Sequence, residues 1–452
     1  MKDKFQKILF LLIFFATFCI AHAKLARPIF ETTIFRQTLN TTNQWSAAAP
    51  LPQLNLNPSI RFLVAGSISF IAAAISSAGG IGGGGLFIPI LIIVTGLDVK
   101  TASSYSAFMV TGGSIANVAN YMVVKSGGKP LIDYDIALLS EPSMLLGVSC
   151  GVILNQVLPE WVITTLFVIF IALCTFKTCK SGVLYWKLES RGLRRNGCAR
   201  MENEEDCGES TKVPLLSGEL DEGRLETPWM KLGMLVIIWF SFFVLYLLRG
   251  NRYGQGIIQI EVCGPVYWMI SFMQIPLAVI FTAWILFSTK CPKNNSPTQQ
   301  ENGGRTRSQS GKKLIFPVMA LLAGILGGVF GIGGGMLISP ILLQLEIEPE
   351  VTAATCSFMV LFSSTMSAIQ YLLLGMEQIY GALSYAAICF VGSLVGLTLV
   401  QQAVLKHGRA SLIVFSVGIV MALSTVLMTT FGALDVWKSY TSGQSMGFKK
   451  PC

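Results

Sequence analysis

Histidine is almost missing from this chain of 452 residues, which has only His22 and His407. Zinc and haem sites lean heavily on imidazole, so its scarcity argues against both. The 11 cysteines form no CxxC pair and no regular disulfide spacing. Cys150, Cys174, Cys356 and Cys389 lie inside apolar runs, where cysteine behaves as a small hydrophobe. Charge is scarce too: Asp, Glu, Lys and Arg supply 13% of the residues, against roughly 25% in soluble domains. With 52% hydrophobic residues and a mean hydropathy of +0.62, that deficit marks an integral membrane protein. No H-E-x-x-H motif and no Walker loop is present, which leaves no metalloprotease signature and no nucleotide grip for hydrolysis-driven pumping. Neither an enzyme nor a bound cofactor is expected. The net charge of +9 collects in a few loops, which reads as a topology signal and not as a nucleic-acid surface.

What the chain does have is glycine in two matched clusters. Gly79-Gly80-Ile81-Gly82-Gly83-Gly84-Gly85-Leu86-Phe87-Ile88-Pro89 returns as Phe330-Gly331-Ile332-Gly333-Gly334-Gly335-Met336-Leu337-Ile338-Ser339-Pro340, at an offset of 251 residues. Glycine is the poorest helix former after proline, so each cluster must open the backbone between its apolar flanks. Unwound backbone at membrane depth is tolerated only where protein buries it or a cavity is lined by it. Two such breaks at corresponding positions of two halves point to a transporter's binding site.

Residues 1–23 have the form of a signal peptide: Lys2, Lys4 and Lys7, an apolar run from Ile8 to Phe15, and a small-x-small end at Ala21-His22-Ala23. Residues 24–59 then fall on the lumenal or extracytoplasmic side, with an N-glycosylation sequon at Asn40. Apolar segments follow at about 60–78, 85–97, 103–124, 135–157 and 160–181. The second is too short to cross a bilayer, which needs about 20 residues, and is expected to be a half-helix. The polar stretch 187–229 is expected as a cytosolic loop, 230–288 as a two-span insert, and 289–313 as a second cytosolic loop. The pattern then restarts at about 314–331, 335–345, 352–374, 379–403 and 410–432, before a tail at 433–452. The repeat runs past the glycines: Thr101-Ala102 matches Thr352-Ala353, Phe108-Met109-Val110 matches Phe358-Met359-Val360, and Gly147 and Gly151 match Gly392 and Gly396.

The first membrane repeat is therefore placed at 60–186 and the second at 314–432. Parity from an outside start puts both arginine- and lysine-rich loops inside, as the positive-inside rule requires. The first half then begins outside and the second inside. The expected fold is an all-α polytopic membrane protein of two inverted-topology five-segment repeats, each with a glycine-broken, re-entrant half-helix, joined by the two-span insert. Lys438, Lys449 and Lys450 in the tail run against this orientation.

A helix N-terminus offers unsatisfied N–H groups and about half a positive charge, a ready anion site. No Lys or Arg lies well inside any expected span, so backbone donors must do the holding. The expected substrate contacts are Gly80, Gly82, Gly83 and Gly84 in the first break and Gly331, Gly333, Gly334 and Gly335 in the second. Hydroxyl and amide side chains at Ser77, Asn117, Asn120, Thr352 and Thr355 supply the remainder. The competing role for each of these side chains is an interhelical hydrogen bond. Glu141 is the one carboxylate well within an apolar run and so the candidate for coupling to H+ or another ion. Against this, it stands six residues from Asp135 at the cytosolic end, where it could reach the interface.

Two GIGGG breaks, each leading through leucine to a proline, resemble the sulfite exporter TauE/SafE family, and the signal-like N-terminus and long central loop are similar to its plant-type members. The resemblance covers about 60–432. It implies a permease for sulfite, sulfonates or related organosulfur anions, driven by an ion gradient, with Gly80 to Gly84, Pro89, Gly331 to Gly335 and Pro340 as the permeation core. The two polar loops and the extra span pair depart from the compact bacterial pattern, which opens the substrate and the direction of transport to change. The rival reading is a secretory-pathway membrane adaptor or receptor that keeps the fold without transport; an uncoupled anion channel would use the same residues as the permease. In either case the bilayer is a partner, nucleic acid is not, and the oligomeric state is open.

Overall fold

The computed structural model describes residues 58–202, 228–249, 264–288 and 306–441, apart from short stretches at 78, 81–82, 124, 127–128, 345–346, 377–378 and 408–410. The signal peptide, Asn40 and Gly82 lie outside the described residues. Among those described, the chain forms twelve helices. The first half holds α1 (Pro58–Ser77), α2 (Gly84–Ile90, continued by a π turn over Leu91–Thr95), α3 (Val99–Val123), α4 (Tyr134–Val157) and α5 (Glu160–Glu202). The insert holds α6 (Pro228–Arg249) and α7 (Pro265–Ser288). The second half holds α8 (Thr306–Phe330), α9 (Gly335–Gln344), α10 (Pro349–Leu373), α11 (Ile379–His407) and α12 (Ser411–Thr441). The strand structure among the described residues is one short antiparallel pair, Lys125–Ser126 against Lys129–Pro130.

Helix ends and membrane edges do not coincide. α5 runs to Glu202, well past residue 187 where a loop was expected, α8 begins at Thr306 inside the expected loop 289–313, and α12 continues to Thr441. Hydropathy falls where a helix leaves lipid, but Lys, Leu, Glu, Arg and Ala are all good helix formers and carry the helix onward. Glu189, on this extension of α5, caps α12: its carboxylate accepts from Ser411 N at 3.0 Å and from Ser411 Oγ at 2.5 Å.

Among the described residues, eight helices are long and apolar enough to cross a membrane: α1, α4, α5, α6, α7, α10, α11 and α12. α7 exposes Met269, Phe272, Val279, Ile280 and Phe287, a surface suited to lipid and not to water. α3 and α10 are the opposite case. Nearly every residue from Ala102 to Val118 and from Thr352 to Tyr371 is buried. A helix enclosed by protein carries Ser, Thr and Asn with partners at hand, and α3 is accordingly less apolar than its length would require of a lipid-facing span.

Packing follows the repeat. α4 and α8 run side by side in the same direction, with Gly147 and Gly151 meeting Gly324 and Gly328; a Cβ at any of the four would strike the backbone opposite. In the matching pair, α1 and α11, Gly392 and Gly396 approach the carbonyls of Phe70 and Ala74. α3 packs on α10, and α5 on α12, the latter in opposite directions, with Thr164 near Gly432 and Thr178 against Met421. In the latter pair Thr175 Oγ1 and Thr425 Oγ1, residues 250 apart in the chain, are 3.4 Å from each other. The insert attaches to α4, with α6 also touching α10 through Trp239 Nε1, which donates to Phe362 O at 3.2 Å.

Candidate functional site

Both glycine clusters break the helix. In the first, α1 stops at Ser77, Gly80 and Gly83 take left-handed φ of 71° and 80°, and α2 starts at Gly84. In the second, α8 stops at Phe330, Gly331, Gly333 and Gly334 take φ of 65°, 69° and 69°, and α9 starts at Gly335. Side chains are disfavoured at positive φ, and here there is no room for them either. A Cβ at Gly80 would enter the Ala353 carbonyl of α10, and one at Gly331 would enter the Ser103 carbonyl of α3. Each break is thus clasped by the central helix of the other half.

The breaks also touch one another. Gly84 lies against Ile332 and Gly85 against the Met336 side chain, so the starts of α2 and α9 meet within one buried core. Pro89 has no N–H to offer the Gly85 carbonyl four residues back; Ser424 Oγ of α12 donates to that carbonyl instead. The position equivalent to Ser424 in the first half is Cys174 of α5, buried and a weaker donor.

The polar side chains expected at the site are brought near the breaks, but most are engaged. Ser77 Oγ donates to Asn117 Oδ1 at 2.5 Å, with the Ser393 carbonyl 3.0 Å away, and Asn117 Nδ2 reaches Ser77 O at 3.4 Å. This knot ties α1, α3 and α11 together beside the first break. Asn120 is half-buried one turn further along α3. Thr355 Oγ1 accepts from Asp133 N at 2.9 Å, and Thr352 Oγ1 donates to Ile347 O at 3.5 Å. Both threonines therefore serve the start of α10 and its junction with α4. Asp133 caps α4 by accepting from Asp135 N and Ile136 N; burial pushes its carboxyl up, and those two bonds oppose the shift.

Glu141 is fully buried in α4 and neither carboxylate oxygen has a partner among the described residues. It does not reach an interface. One turn on along the same face, the Met144 methyl rests against Gly334 of the second break. The letters Gly147-Val148-Ser149-Cys150-Gly151 fit a G-x-S-x-G pattern, but the context excludes a nucleophile elbow. Ser149 sits inside α4 donating to Leu145 O at 2.9 Å, and the two glycines serve contact with α8. No group of His, Cys, Asp and Glu suited to a metal ion occurs among the described residues.

Sequence reasoning missed Ser363 and Ser364. Ser363 Oγ donates to Gly333 O at 2.7 Å, bracing the second break. Ser364 is fully buried, its Cβ 3.2 Å from where a Cβ on Gly333 would stand, and its hydroxyl is unpartnered. Ser357, Val360, Ser364 and Ser367 recur at helical spacing, a stripe on one face that could have been read from the sequence.

An all-helical, multi-pass membrane protein with two broken helices meeting at its buried centre has the architecture of a membrane transporter. The family model "Sulfite exporter TauE/SafE" matches residues 3–178 and 226–428, and the chain belongs to that family. The match extends beyond the 60–432 expected from the glycine motifs, reaching back to residue 3 and leaving out 179–225. The chain is 57% identical to Sulfite exporter TauE/SafE family protein 2 of Arabidopsis thaliana, with 100% of both chains covered. It is 57% identical to family protein 5 of the same plant, over 92% of this chain and 93% of that one. A more distant relative is the probable membrane transporter protein YunE of Bacillus subtilis, 30% identical over 24% of this chain and 41% of its own. No solved structure matches.

Proposed function

We propose that this protein is a secondary transporter of a small anion, sulfite or a sulfonate, held by the helix N-termini at the paired glycine breaks. The observation that carries this is the meeting of the breaks, Gly84 on Ile332 and Gly85 on Met336. Two helix starts lie against one buried region, where their partial charges act through a low dielectric. The Arabidopsis relatives named as sulfite exporters support the choice of substrate. The two halves work as inverted repeats about that centre; antiparallel packing of α5 on α12, with same-direction packing of α4 on α8 and α1 on α11, supports this. Glu141, buried without a counter-charge, is the coupling position, taking up and releasing H+ as the halves exchange access. Residues 1–23 direct the chain into the secretory pathway, Asn40 is its glycosylation site, and the protein carries solute without catalysing a reaction.

Flux of sulfite into proteoliposomes, with and without an imposed pH gradient, tests this. Gradient-dependent flux is expected in the wild type. Glu141→Gln is expected to retain downhill flux at an unchanged unfolding temperature and to lose the response to the gradient. Folded wild type that moves neither sulfite nor methanesulfonate would overturn the transport reading. A Glu141→Gln protein that still follows the gradient would overturn the coupling role alone.

A further inference from the structure

The two breaks are not equivalent in the side chains that face them. At the first, Ser76, Ser77 and Asn117 all have hydrogen-bond partners. At the second, Ser364 has none, although it is fully buried and stands against Gly333. Val110 of α3 closes the same spot from the other side, 3.4 Å from a Cβ on Gly333. One turn before Val110 comes Ser106, and two turns before Ser364 comes Ser357; both are fully buried and unpartnered. Ser367 of α10 is a fourth hydroxyl of this kind, and the others among the described residues are Ser69 and Ser393 of the α1/α11 pair and Thr282 of α7.

Leaving a buried hydroxyl without a partner costs free energy that replacing it by an apolar group would recover. Four of them on α3 and α10, with Ser364 beside a helix start, call for a ligand. The helix in question, α9, is ten residues long, and its first N–H groups have no intrahelical acceptors. α2 is regular α-helix for seven residues before its π turn.

Resting on the transport reading above, we infer that the anion is held at the second break, by the first amides of α9 and the Ser364 hydroxyl, with Ser106 and Ser357 lining its approach, and that this site takes a singly charged oxyanion in preference to a doubly charged one. The charge preference follows from the donors. No Lys or Arg occurs from residue 314 to residue 405, so the site offers N–H and O–H dipoles and about half a positive charge from the helix. One negative charge spread over three oxygens suits that supply; a second would be buried without compensation.

The test is binding of methanesulfonate and of sulfate to the purified full-length protein, followed by calorimetry, beside flux of the same anions in proteoliposomes. Wild type is expected to bind methanesulfonate at least about tenfold more tightly than sulfate. Ser364→Ala is expected to weaken methanesulfonate binding about tenfold, as loss of one hydrogen bond to a charged acceptor does, while its unfolding temperature stays level or rises. A hydroxyl with a purely structural role would lower that temperature and leave affinity alone. Transport in wild type with unchanged affinity in Ser364→Ala, or with sulfate bound as tightly as methanesulfonate, would overturn this site and leave the transport reading standing. Wild type that neither binds nor carries any of these anions would overturn both.

Discussion

The first and second glycine breaks share a backbone and differ in their surroundings. Gly80 presses on Ala353 and Gly331 on Ser103; the two glycines are 251 residues apart in the chain and their partners 250. Around that common frame the side chains have parted. Ser77 is tied to Asn117 at one break, while Ser364 stands untied at the other. Ser424 serves the carbonyl freed by Pro89, while the matching position holds Cys174. Glu141 in α4 corresponds to Ala386 in α11 if the helices are aligned on their glycine pairs. On the inverted-repeat reading proposed above, backbone geometry is constrained twice over, by positive φ and by contact, whereas side chains are free to specialise.

The sharpest way to break this comparison is to load the backbone positions equally. Gly80→Ala and Gly331→Ala each combine a disfavoured φ with a Cβ buried in a carbonyl, and each is expected to cost about 3 kcal/mol or more. Yield of monodisperse protein and thermal unfolding in detergent would measure it. Equal loss in both sustains the shared frame, and tolerance of either one breaks it. A smaller effect separates the side chains. Ser77→Ala is expected to lower stability by about 1–3 kcal/mol, because Asn117 Oδ1 loses its donor in a buried setting; the same measurement on Ser364→Ala should show no loss. Smallest of all is the insert, which touches the first half through Lys231 and Asp135, 2.8 Å apart with Asp135 largely exposed. Lys231→Ala is expected to shift stability by less than about 1 kcal/mol, and a larger loss in the same assay would mean the insert props up α4 more than the exposed pair implies.

Much of this was legible in the residues. A repeated Gly-Ile-Gly-Gly-Gly with a proline behind it announces two broken helices, because no other residue series combines poor helix propensity with apolar flanks in that way. Gly147, Gly151, Gly392 and Gly396 announce close contact by spacing alone. What stayed hidden was the state of each hydroxyl. Ser77 and Ser364 look alike in a sequence, and only the arrival of Asn117 from another helix distinguishes them. Thr352 and Thr355 follow the second break in the sequence, yet Thr355 is drawn to Asp133, 222 residues away. The extents of α5, α8 and α12 were also misjudged, since hydropathy reports the lipid boundary and helix propensity reports the helix.

The contact between Thr175 and Thr425 has a further consequence. A residue that meets its own duplicate is the mark of an isologous interface, the kind formed across the two-fold axis of a homodimer. The join between α5 and α12 therefore has the form of a subunit interface drawn inside one polypeptide. On the inverted-repeat reading proposed above, the chain is built like a dimer whose partners cannot separate.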